Sequence, residues 1–248
     1  MPINYLRQLT SPTRSELSNH HLGCSLAFVA GAVNAGGFLA VGQYTSHMSG
    51  IVSALADHLV LGQVMLLASG VASLLAFLLG AATAAVMINW GRQRRWHSEY
   101  AMPLLLEAAL LLAFGIMGHQ LQQQQLHFVT ATVVLLCFVM GLQNALVTKI
   151  SRAEIRTTHV TGLVTDLGIE IGRMCYWRVA ARTDGALAPS PRRFLLLGML
   201  LLMFFAGGVM GAVGFSAIGF MATLPLAVSL LVLALVPVWD DLVHHQAR

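Results

Sequence analysis

Long apolar runs are the feature that most restricts what this chain can fold into. Six of them stand out, at residues 22–42, 64–89, 101–118, 128–148, 194–213 and 217–238. A helix needs about 20 such residues to cross the ~30 Å hydrocarbon core of a bilayer, whereas the strands of a membrane barrel alternate in polarity and are about half as long. Only 10% of the 248 residues are charged, too few to cover a soluble fold of this size. We therefore predict an all-α polytopic membrane protein with six transmembrane helices.

The basic residues are confined to alternate connections between these runs. All 14 Lys and Arg residues lie before the first run, between the second and third, between the fourth and fifth, or at the end of the chain. Because cationic loops stay on the cytoplasmic side, we predict cytoplasmic tails at 1–21 and 239–248. Residues 1–21 lack the apolar core of a signal peptide. The basic residues behind the net charge of +4 are thus explained as residues of cytoplasmic loops, and no nucleic-acid binding is expected.

Two short motifs occur twice in the chain. "FVAGAVN" (28–34) matches "FVMGLQN" (138–144), and "TSHMSG" (45–50) matches "TTHVTG" (157–162) as the string Thr-x-His-x-x-Gly. Weaker matches join Phe77-x-x-Gly80 to Phe205-x-x-Gly208 and Pro103-Leu104 to Pro225-Leu226. We therefore predict two three-span units, 22–121 and 122–238, the second with a basic cytoplasmic insert at 173–193. Three spans are an odd number, so the second unit must be inverted, as in many secondary transporters.

An interrupted element is predicted after each Thr-x-His-x-x-Gly string. Residues 51–63 and 163–173 are amphipathic and too short to cross a bilayer, and Ser49 and Thr161 stand where helix N-caps would lie. Interrupted backbone at membrane depth is tolerated only where protein or water satisfies its polar groups, so it tends to line a cavity. Helix N-termini in such a cavity suit an anion or a carboxylate.

Polar residues of the recurring motifs are the candidates for binding a solute. His47 and His159, as a twofold-related pair, could meet near the axis, where imidazoles can pass protons or bind a metal or a carboxylate. A lone His near a helix start is more often a cap or an interfacial side chain than a ligand, and an Asn within a span is typical of interhelical hydrogen bonding. The predicted solute-contacting residues are Asn34, Thr45, His47, Ser49, Asn144, Thr157, His159 and Thr161.

Three acidic residues, Asp57, Glu107 and Asp166, are candidates for proton or ion coupling. Glu107 lies within the third run, where an ionisable group is costly and often functional, unless it reaches the headgroups. Asp57, Asp166 and Glu170 with the two histidines would make a metal or proton site, against the alternative of a solvated helix face. Tight metal-ligand spacing is absent, so no catalytic residue, metal ligand or cofactor is predicted. The three cysteines, Cys24, Cys137 and Cys175, are predicted to be small packing residues.

Small residues predict close helix packing at Gly31-x-x-x-Ala35 and at Gly207-Gly208-x-x-Gly211. The first span, "AFVAGAVNAGGFLA", the string "SHMSG" that follows it and "FLLGA" further along resemble the YoaK family of bacterial inner-membrane proteins over nearly the whole chain. Family members often have Asp at the position of Asn34 and Asn at that of Ile51. The resemblance implies a multi-span inner-membrane protein, but it supplies no substrate.

The function predicted from the sequence is a small-solute permease or channel, with its site between the two Thr-x-His-x-x-Gly strings and no enzymatic activity. Its expected partners are the lipid bilayer and a small solute, with an anion favoured by the helix N-termini, and a homo-oligomer is compatible with the sequence. An intramembrane metal-dependent enzyme and a membrane scaffold or sensor that docks partners on the basic 149–193 segment are the alternatives.

Overall fold

A computed structural model of the chain describes residues 16–94, 96, 99–121, 126–151, 155–179 and 190–245. These residues form helices and short connections, with no strand among them. The helices are α1 (Glu16–Val41), α2 (Met48–Val60), α3 (Val64–Gln93), α4 (Ala101–Leu121), α5 (Leu126–Ile150), α6 (Val160–Val179), α7 (Pro191–Ile218) and α8 (Thr223–His245), with a 3₁₀ turn, Gly219–Ala222, between the last two.

The six apolar runs coincide with α1, α3, α4, α5, α7 and α8. Four stretches of the described chain are long and apolar enough to cross a membrane, namely Leu17–Val41, Val64–Gln93, Val129–Ile150 and Pro191–Leu235. The fourth stretch contains α7 and half of α8, and Ala101–Ile116 is a shorter apolar helix. The predicted all-α class is thereby confirmed.

Helices α1 and α7 pack with their backbones in direct contact. A Cβ atom added to Gly31 would collide with the carbonyl oxygen of Phe204, and one added to Gly207 would collide with that of Phe28. A Cβ atom on Gly211 would also collide with the Ala32 carbonyl oxygen. Small residues at an interface allow this approach, which favours dispersion contacts between helices in lipid. The predicted close packing is confirmed at Gly31, Gly207 and Gly211.

Helices α3 and α5 repeat this contact with the matching residues. A Cβ on Gly80 would collide with the carbonyl oxygen of Phe138, and one on Gly141 with that of Phe77. Phe77 and Gly80 thus take the places that Phe204 and Gly207 take in α7. The match of Phe77-x-x-Gly80 to Phe205-x-x-Gly208 is therefore wrong by one residue, because a Cβ on Gly208 would come no closer than 3.8 Å to the α1 backbone.

Helices α1 and α5 run antiparallel at the centre of the bundle. Gly37, near the end of α1, lies beside Leu136 in the first half of α5, while the Gln143 side chain, later in α5, donates a 3.2 Å hydrogen bond to the Leu26 carbonyl. Gly23, near the start of α1, lies beside Ile155 just beyond α5. The segment after α1 and the segment after α5 therefore lie at opposite ends of the α1–α5 pair.

Several predicted boundaries shift. Helix α1 begins within the predicted tail 1–21, and α8 continues to His245 inside the predicted tail 239–248. Helix α6 reaches Val179, so the insert 173–193 begins as helix, while its residues 180–189 lie outside the described part of the chain. Cys137 is buried as predicted and Cys24 is half-buried, but Cys175 is exposed on α6.

The outward faces of α3 and α7 are apolar. Large exposed side chains include Leu75, Leu78, Leu79 and Val86 on α3 and Leu202, Phe205, Val209 and Val213 on α7. A continuous apolar surface of this kind is typical of contact with lipid.

Candidate functional site in two re-entrant segments

The chain turns back on itself after α1. It reverses at Gly42, which has a φ of +71°, and returns alongside the helix it has just left. The Ser46 hydroxyl then donates a 3.0 Å hydrogen bond to Asn34 Oδ1, which also accepts from the Ser46 backbone N–H at 3.3 Å. Asn34 lies seven residues before the end of α1, so Ser46 sits roughly 10 Å back along the helix axis. Residues 42–47 therefore form a re-entrant segment, from which α2 starts.

The chain after α5 does the same. The Thr158 hydroxyl donates a 2.7 Å hydrogen bond to Asn144 Oδ1, and the Asn144 amide is held by the Met140 carbonyl at 2.8 Å. Asn144 lies six residues before the end of α5, so this return covers roughly 9 Å. The two asparagines and their hydroxyl partners occupy matching positions, and residues 155–159 are the described part of the second re-entrant segment, from which α6 starts.

The Thr-x-His-x-x-Gly pattern has a steric cause. The ring of His47 folds over Gly50, and a Cβ on Gly50 would collide with its Cδ2 atom. In the second string a Cβ on Gly162 would collide with His159 Nδ1 in the same way. A glycine three residues after each His therefore leaves room for the imidazole at the start of the short helix.

The first residue of each string is buried with its hydroxyl unpaired. Thr45 and Thr157 are both 0% exposed, and neither Oγ1 atom has a hydrogen-bond partner within the described part of the chain. His47 and His159 are exposed, as are Ser49 and Thr161. A buried hydroxyl without a partner is costly, so such groups are candidates for contact with water or a solute.

The predicted N-caps are wrong. The residue before α2 is His47, which makes no side-chain capping bond, and Ser49 lies within the first turn. Helix α6 begins at Val160, so Thr161 also lies inside the helix. The backbone is fixed instead by Ser46 and Thr158, whose bonds to the asparagines hold the re-entrant segments in place.

Each string borders a cavity of its own. The α2 cavity has a volume of about 350 Å³ and lies between the end of α1, the re-entrant segment, α2 and the start of α3. His47 and Gly50 line it, with Tyr44, Ala54, Leu66, Ser69 and Gly70 among their neighbours. His58, whose ring nitrogen lies 2.7 Å from Gln63 Oε1, borders it as well. No Asp, Glu, Lys or Arg lines this cavity, so it suits an uncharged or aromatic ligand.

The α6 cavity has the same construction and a different charge. It measures about 550 Å³ and lies between the second re-entrant segment, α6 and α7, with His159 and Gly162 in its lining. Arg156, Asp166, Arg193, Leu196 and Leu197 stand where the α2 cavity has Tyr44, Ala54, Leu66, Ser69 and Gly70. Arg193 Nη2 is ion-paired with Asp166 Oδ2 at 3.2 Å.

The two histidines do not meet. The two cavities share no lining residue, and they lie at opposite ends of the antiparallel α1–α5 pair. Along α1, Gly23 lies beside the second re-entrant segment and Gly37 beside the first, a separation of roughly 21 Å. The predicted meeting of His47 and His159 near the axis is therefore wrong. The α1–α5 interface lies between them, with the Gln143 side chain fully buried and its Oε1 unpaired among the described residues.

The predicted coupling acids have different environments. Asp57 is exposed on α2, and Asp166 is ion-paired with Arg193. Glu170 is 1% exposed and is held by Arg173 at 2.9 Å and by the Ser190 backbone N–H at 3.1 Å. Glu107 is 0% exposed, and neither carboxyl oxygen has a partner in the described regions of the chain. Burial of an ionisable group without a partner keeps Glu107 as a candidate for a functional role.

A metal centre finds no support in this arrangement. Among the described residues no three His, Cys, Asp or Glu side chains come together as a metal site. Of the acids predicted for such a site, Asp166 and Glu170 are ion-paired with arginines and Asp57 is exposed on α2.

Sequence reasoning missed the hydroxyl partners Ser46 and Thr158 and the cationic pair Arg156 and Arg193. The recurrence of the Asn and of the string at nearly equal offsets was the available signal for the first pair, since matched spacing implies matched contacts. The second pair had no sequence signal, because 36 residues separate the two arginines and only the fold brings them to one cavity.

The described chain consists of long apolar helices that pack through glycines and present apolar side chains outward. This architecture is that of a polytopic helical membrane protein. The chain belongs to the family described as "Protein of unknown function (DUF1275)", whose model matches residues 22–236. It is similar to the UPF0700 transmembrane protein YoaK of Bacillus subtilis (strain 168), at 24% identity over 159 residues that cover 64% of this chain and 69% of that protein. The predicted membership of the YoaK family is thus confirmed. No solved structure matches the chain.

Proposed function

We propose that the protein is a six-span permease or channel for a small solute, built from two inverted three-span units. The paired re-entrant segments carry this proposal. They interrupt the helical backbone within the apolar bundle, and each borders a cavity. Each also presents a buried threonine hydroxyl that has no hydrogen-bond partner among the described residues. Non-helical backbone at membrane depth occurs where it lines a water-filled or solute-filled space, and transporters of inverted-repeat design place such segments at their solute sites.

Six crossings are supported by length. The apolar stretch Pro191–Leu235 has 45 residues, a helical length of roughly 67 Å that is more than twice the hydrocarbon thickness. It breaks at Gly219, where φ is +59°, so α7 and α8 would cross separately. Helix α4, with 21 residues, is long enough for a crossing of its own.

The inverted arrangement is supported by the matched contacts. Helix α1 packs on α7 as α5 packs on α3, the α1–α5 pair is antiparallel, and the Asn-to-hydroxyl bonds recur after both helices. In this proposal both termini and the α6 cavity would lie on the cytoplasmic side of a bacterial inner membrane and the α2 cavity outside, which is the orientation that the distribution of basic residues predicts.

The proposed route follows the α1–α5 interface. Thr45 and Thr157 lie at its two ends and Gln143 between them, and each has a side-chain oxygen without a partner in the described part of the chain. They would replace part of the hydration of a solute that moves from one cavity to the other. The site predicted between the two strings becomes, in this proposal, a path with a cavity at each end.

Flux into proteoliposomes tests the proposal. Stopped-flow light scattering would follow the entry of glycerol, urea, formate, acetate and alanine. We expect at least one of them to enter faster than into protein-free vesicles, and the double variant Thr45→Val/Thr157→Val to slow it about tenfold or more. These isosteric changes remove hydroxyls that have no partner in the described structure, so the fold should survive.

Thr165→Val is the matched control for that measurement. Its hydroxyl donates to the Thr161 carbonyl on the exposed face of α6, away from the route. Entry of all five solutes at the rate of protein-free vesicles would speak against permeation of this solute class. Equal rates for the double variant and the control would remove the threonines from the route.

A further inference from the structure

We infer that the α6 cavity binds a compact oxyanion, a phosphate or carboxylate group, between Arg156 and Arg193. The two arginines come from different elements, one from the re-entrant segment and the other from the first turn of α7, and both line the cavity. Arg156 Nη1 lies 3.5 Å from His159 Nδ1, and Arg193 is ion-paired with Asp166. The two guanidinium groups and the one carboxylate leave a net charge of +1 on the wall, apart from the imidazole.

Guanidinium groups suit this class of ligand. Their planar forks match the oxygens of phosphate and carboxylate, and they give up their hydration more readily than an ammonium does. The start of α6 adds to the effect, because Gly162 in its first turn borders the cavity and the backbone N–H groups of a helix's first turn carry partial positive charge.

The α2 cavity shows that the charge is not a by-product of the re-entrant design. It has the same His, the same glycine and the same kind of helix start, but Tyr44 and Leu66 stand in the positions of Arg156 and Arg193. The position of Asp166 is taken by Ala54. Only the α6 cavity of this matched pair is therefore equipped for an anion.

Asp166 restrains Arg193 and competes with the ligand for it. Both side chains are about half exposed, at 53% for Arg193 and 41% for Asp166, so their ion pair can open at small cost. An incoming oxyanion would take over the arginine. Removal of the carboxylate should therefore strengthen binding, whereas removal of either guanidinium should weaken it.

The inference rests on the proposed function for the role of this cavity as a solute site, but equilibrium binding tests it without any flux. The probe is inorganic phosphate, titrated by isothermal titration calorimetry into the full chain in detergent at constant ionic strength, with chloride as the reference anion. We expect binding that Arg193→Gln and Arg156→Gln each weaken about tenfold and that Asp166→Asn strengthens several-fold. Leu66→Gln, the matched change in the α2 cavity, should leave it unchanged.

A second arm identifies the source of the anion. Dihexanoyl-phosphatidylglycerol carries the same phosphate on a lipid headgroup, and a preference for it over inorganic phosphate, again dependent on Arg193, would assign the site to a lipid. Acetate in a third titration represents a free carboxylate. Dependence on the arginines in any of the three supports the inference and names the source.

The inference is overturned if none of the probes binds more tightly than chloride, or if binding is the same in Arg193→Gln, Asp166→Asn and Leu66→Gln. Should Arg193→Gln fail to fold, Asp166→Asn still decides, since weaker or unchanged binding in that variant contradicts the competition described above. Arginine-dependent binding without flux would refute the proposed permease alone, and flux without such binding would refute this inference alone.

Discussion

The Thr158 hydroxyl donates a 2.7 Å hydrogen bond to Asn144 Oδ1, at the point where the chain has turned back along the helix it has just completed. The Ser46 hydroxyl makes the equivalent bond to Asn34 at 3.0 Å. Each bond joins a residue in the last third of a long helix to a segment without regular structure, and so holds the start of the next helix within the apolar bundle. The asparagines thus hold the two cavities in shape.

Replacement of Asn144 by Leu should destabilise the protein. It removes one hydrogen bond and leaves the Thr158 hydroxyl without its acceptor in an apolar setting, a cost of about 1–3 kcal/mol in the free energy of unfolding. Circular dichroism during unfolding in mixed detergent micelles measures the change. Asn89→Leu is the matched control, because Asn89 is exposed on α3 and only meets Lys149 at 3.4 Å, so its effect should stay within about 0.5 kcal/mol. Equal effects of both substitutions would show that the Asn144 bond does not hold the segment.

The His–Gly contact predicts a change of sign in a double variant. Gly162→Ala alone forces the His159 ring away and should lower the melting temperature. In the His159→Ala background the same substitution should stabilise, by up to about 1 kcal/mol, because Ala is favoured over Gly in a helix. Gly168→Ala, at a position with open space around it on the same helix, should stabilise in both backgrounds. Stabilisation by Gly162→Ala with His159 intact would contradict the packing of the ring.

Two adjacent glycines of α7 distinguish the effect of helix packing on stability from the effect of replacing a helical glycine by alanine. Gly207→Ala places a methyl group against the Phe28 carbonyl of α1, where the backbone cannot yield, and should cost about 1–3 kcal/mol of unfolding free energy. Gly208→Ala meets nothing within 3.8 Å and should be neutral or stabilising. The comparison is made by unfolding both variants in the same detergent, and a larger loss at Gly208 would restore the alignment by which Gly208 matches Gly80.

The sequence predicted the helices well because hydropathy and length are local properties. Each apolar run became one helix, and the recurring strings located the starts of α2 and α6 to within a few residues. Helix α2 is short as predicted, but α6 has 20 residues and extends beyond the predicted segment 163–173. Charge placement predicted an orientation, which stays a prediction. The family resemblance rested on residues of the first span and its string, and the family match over 22–236 confirms it.

Contacts between distant parts of the chain were beyond that reasoning. Nothing in the spacing of Asn34 and Ser46 shows that the chain reverses between them, since the reversal depends on Gly42 and on the room left beside α1. The partner of α1 is α7, selected by glycines about 175 residues apart in sequence. The histidines were expected to converge because they match in sequence, but antiparallel packing of α1 and α5 sends matching residues to opposite ends.

Labelling of introduced cysteines tests the inverted arrangement. Ser49 and Thr161 are exposed beside the two cavities, whereas Thr45 and Thr157 are fully buried and would report poorly. In a background with the three native cysteines replaced, Ser49→Cys should react with an impermeant maleimide on intact spheroplasts, and Thr161→Cys only after permeabilisation. Cys175, restored alone, is the control, because it lies exposed on the same helix as Thr161 and should react from the same side. Reaction of both introduced cysteines from one side would refute the inversion.

Glu107→Gln tests whether the buried acid couples transport to protons. The amide keeps the size and polarity of the side chain but cannot carry a proton between two states, and both oxygens of Glu107 lack a partner in the described structure, so no ion pair is lost. We expect the variant to fold, to exchange solute across vesicles at the original rate, and to lose accumulation driven by a pH gradient. The measurement compares counterflow with gradient-driven uptake of whichever solute enters the proteoliposomes.

Ser229→Ala is the control for this prediction, since the match of Pro103 to Pro225 aligns Glu107 with Ser229, whose hydroxyl donates to the Leu226 carbonyl of its own helix at 2.6 Å. It should leave both modes of uptake intact. A Glu107→Gln variant that still accumulates solute against its gradient would assign Glu107 to packing, because a group that carries the coupled proton cannot be replaced by one that never binds it. Loss of both modes together would place Glu107 on the solute route instead, since exchange needs no net proton movement and fails only when the path itself is blocked.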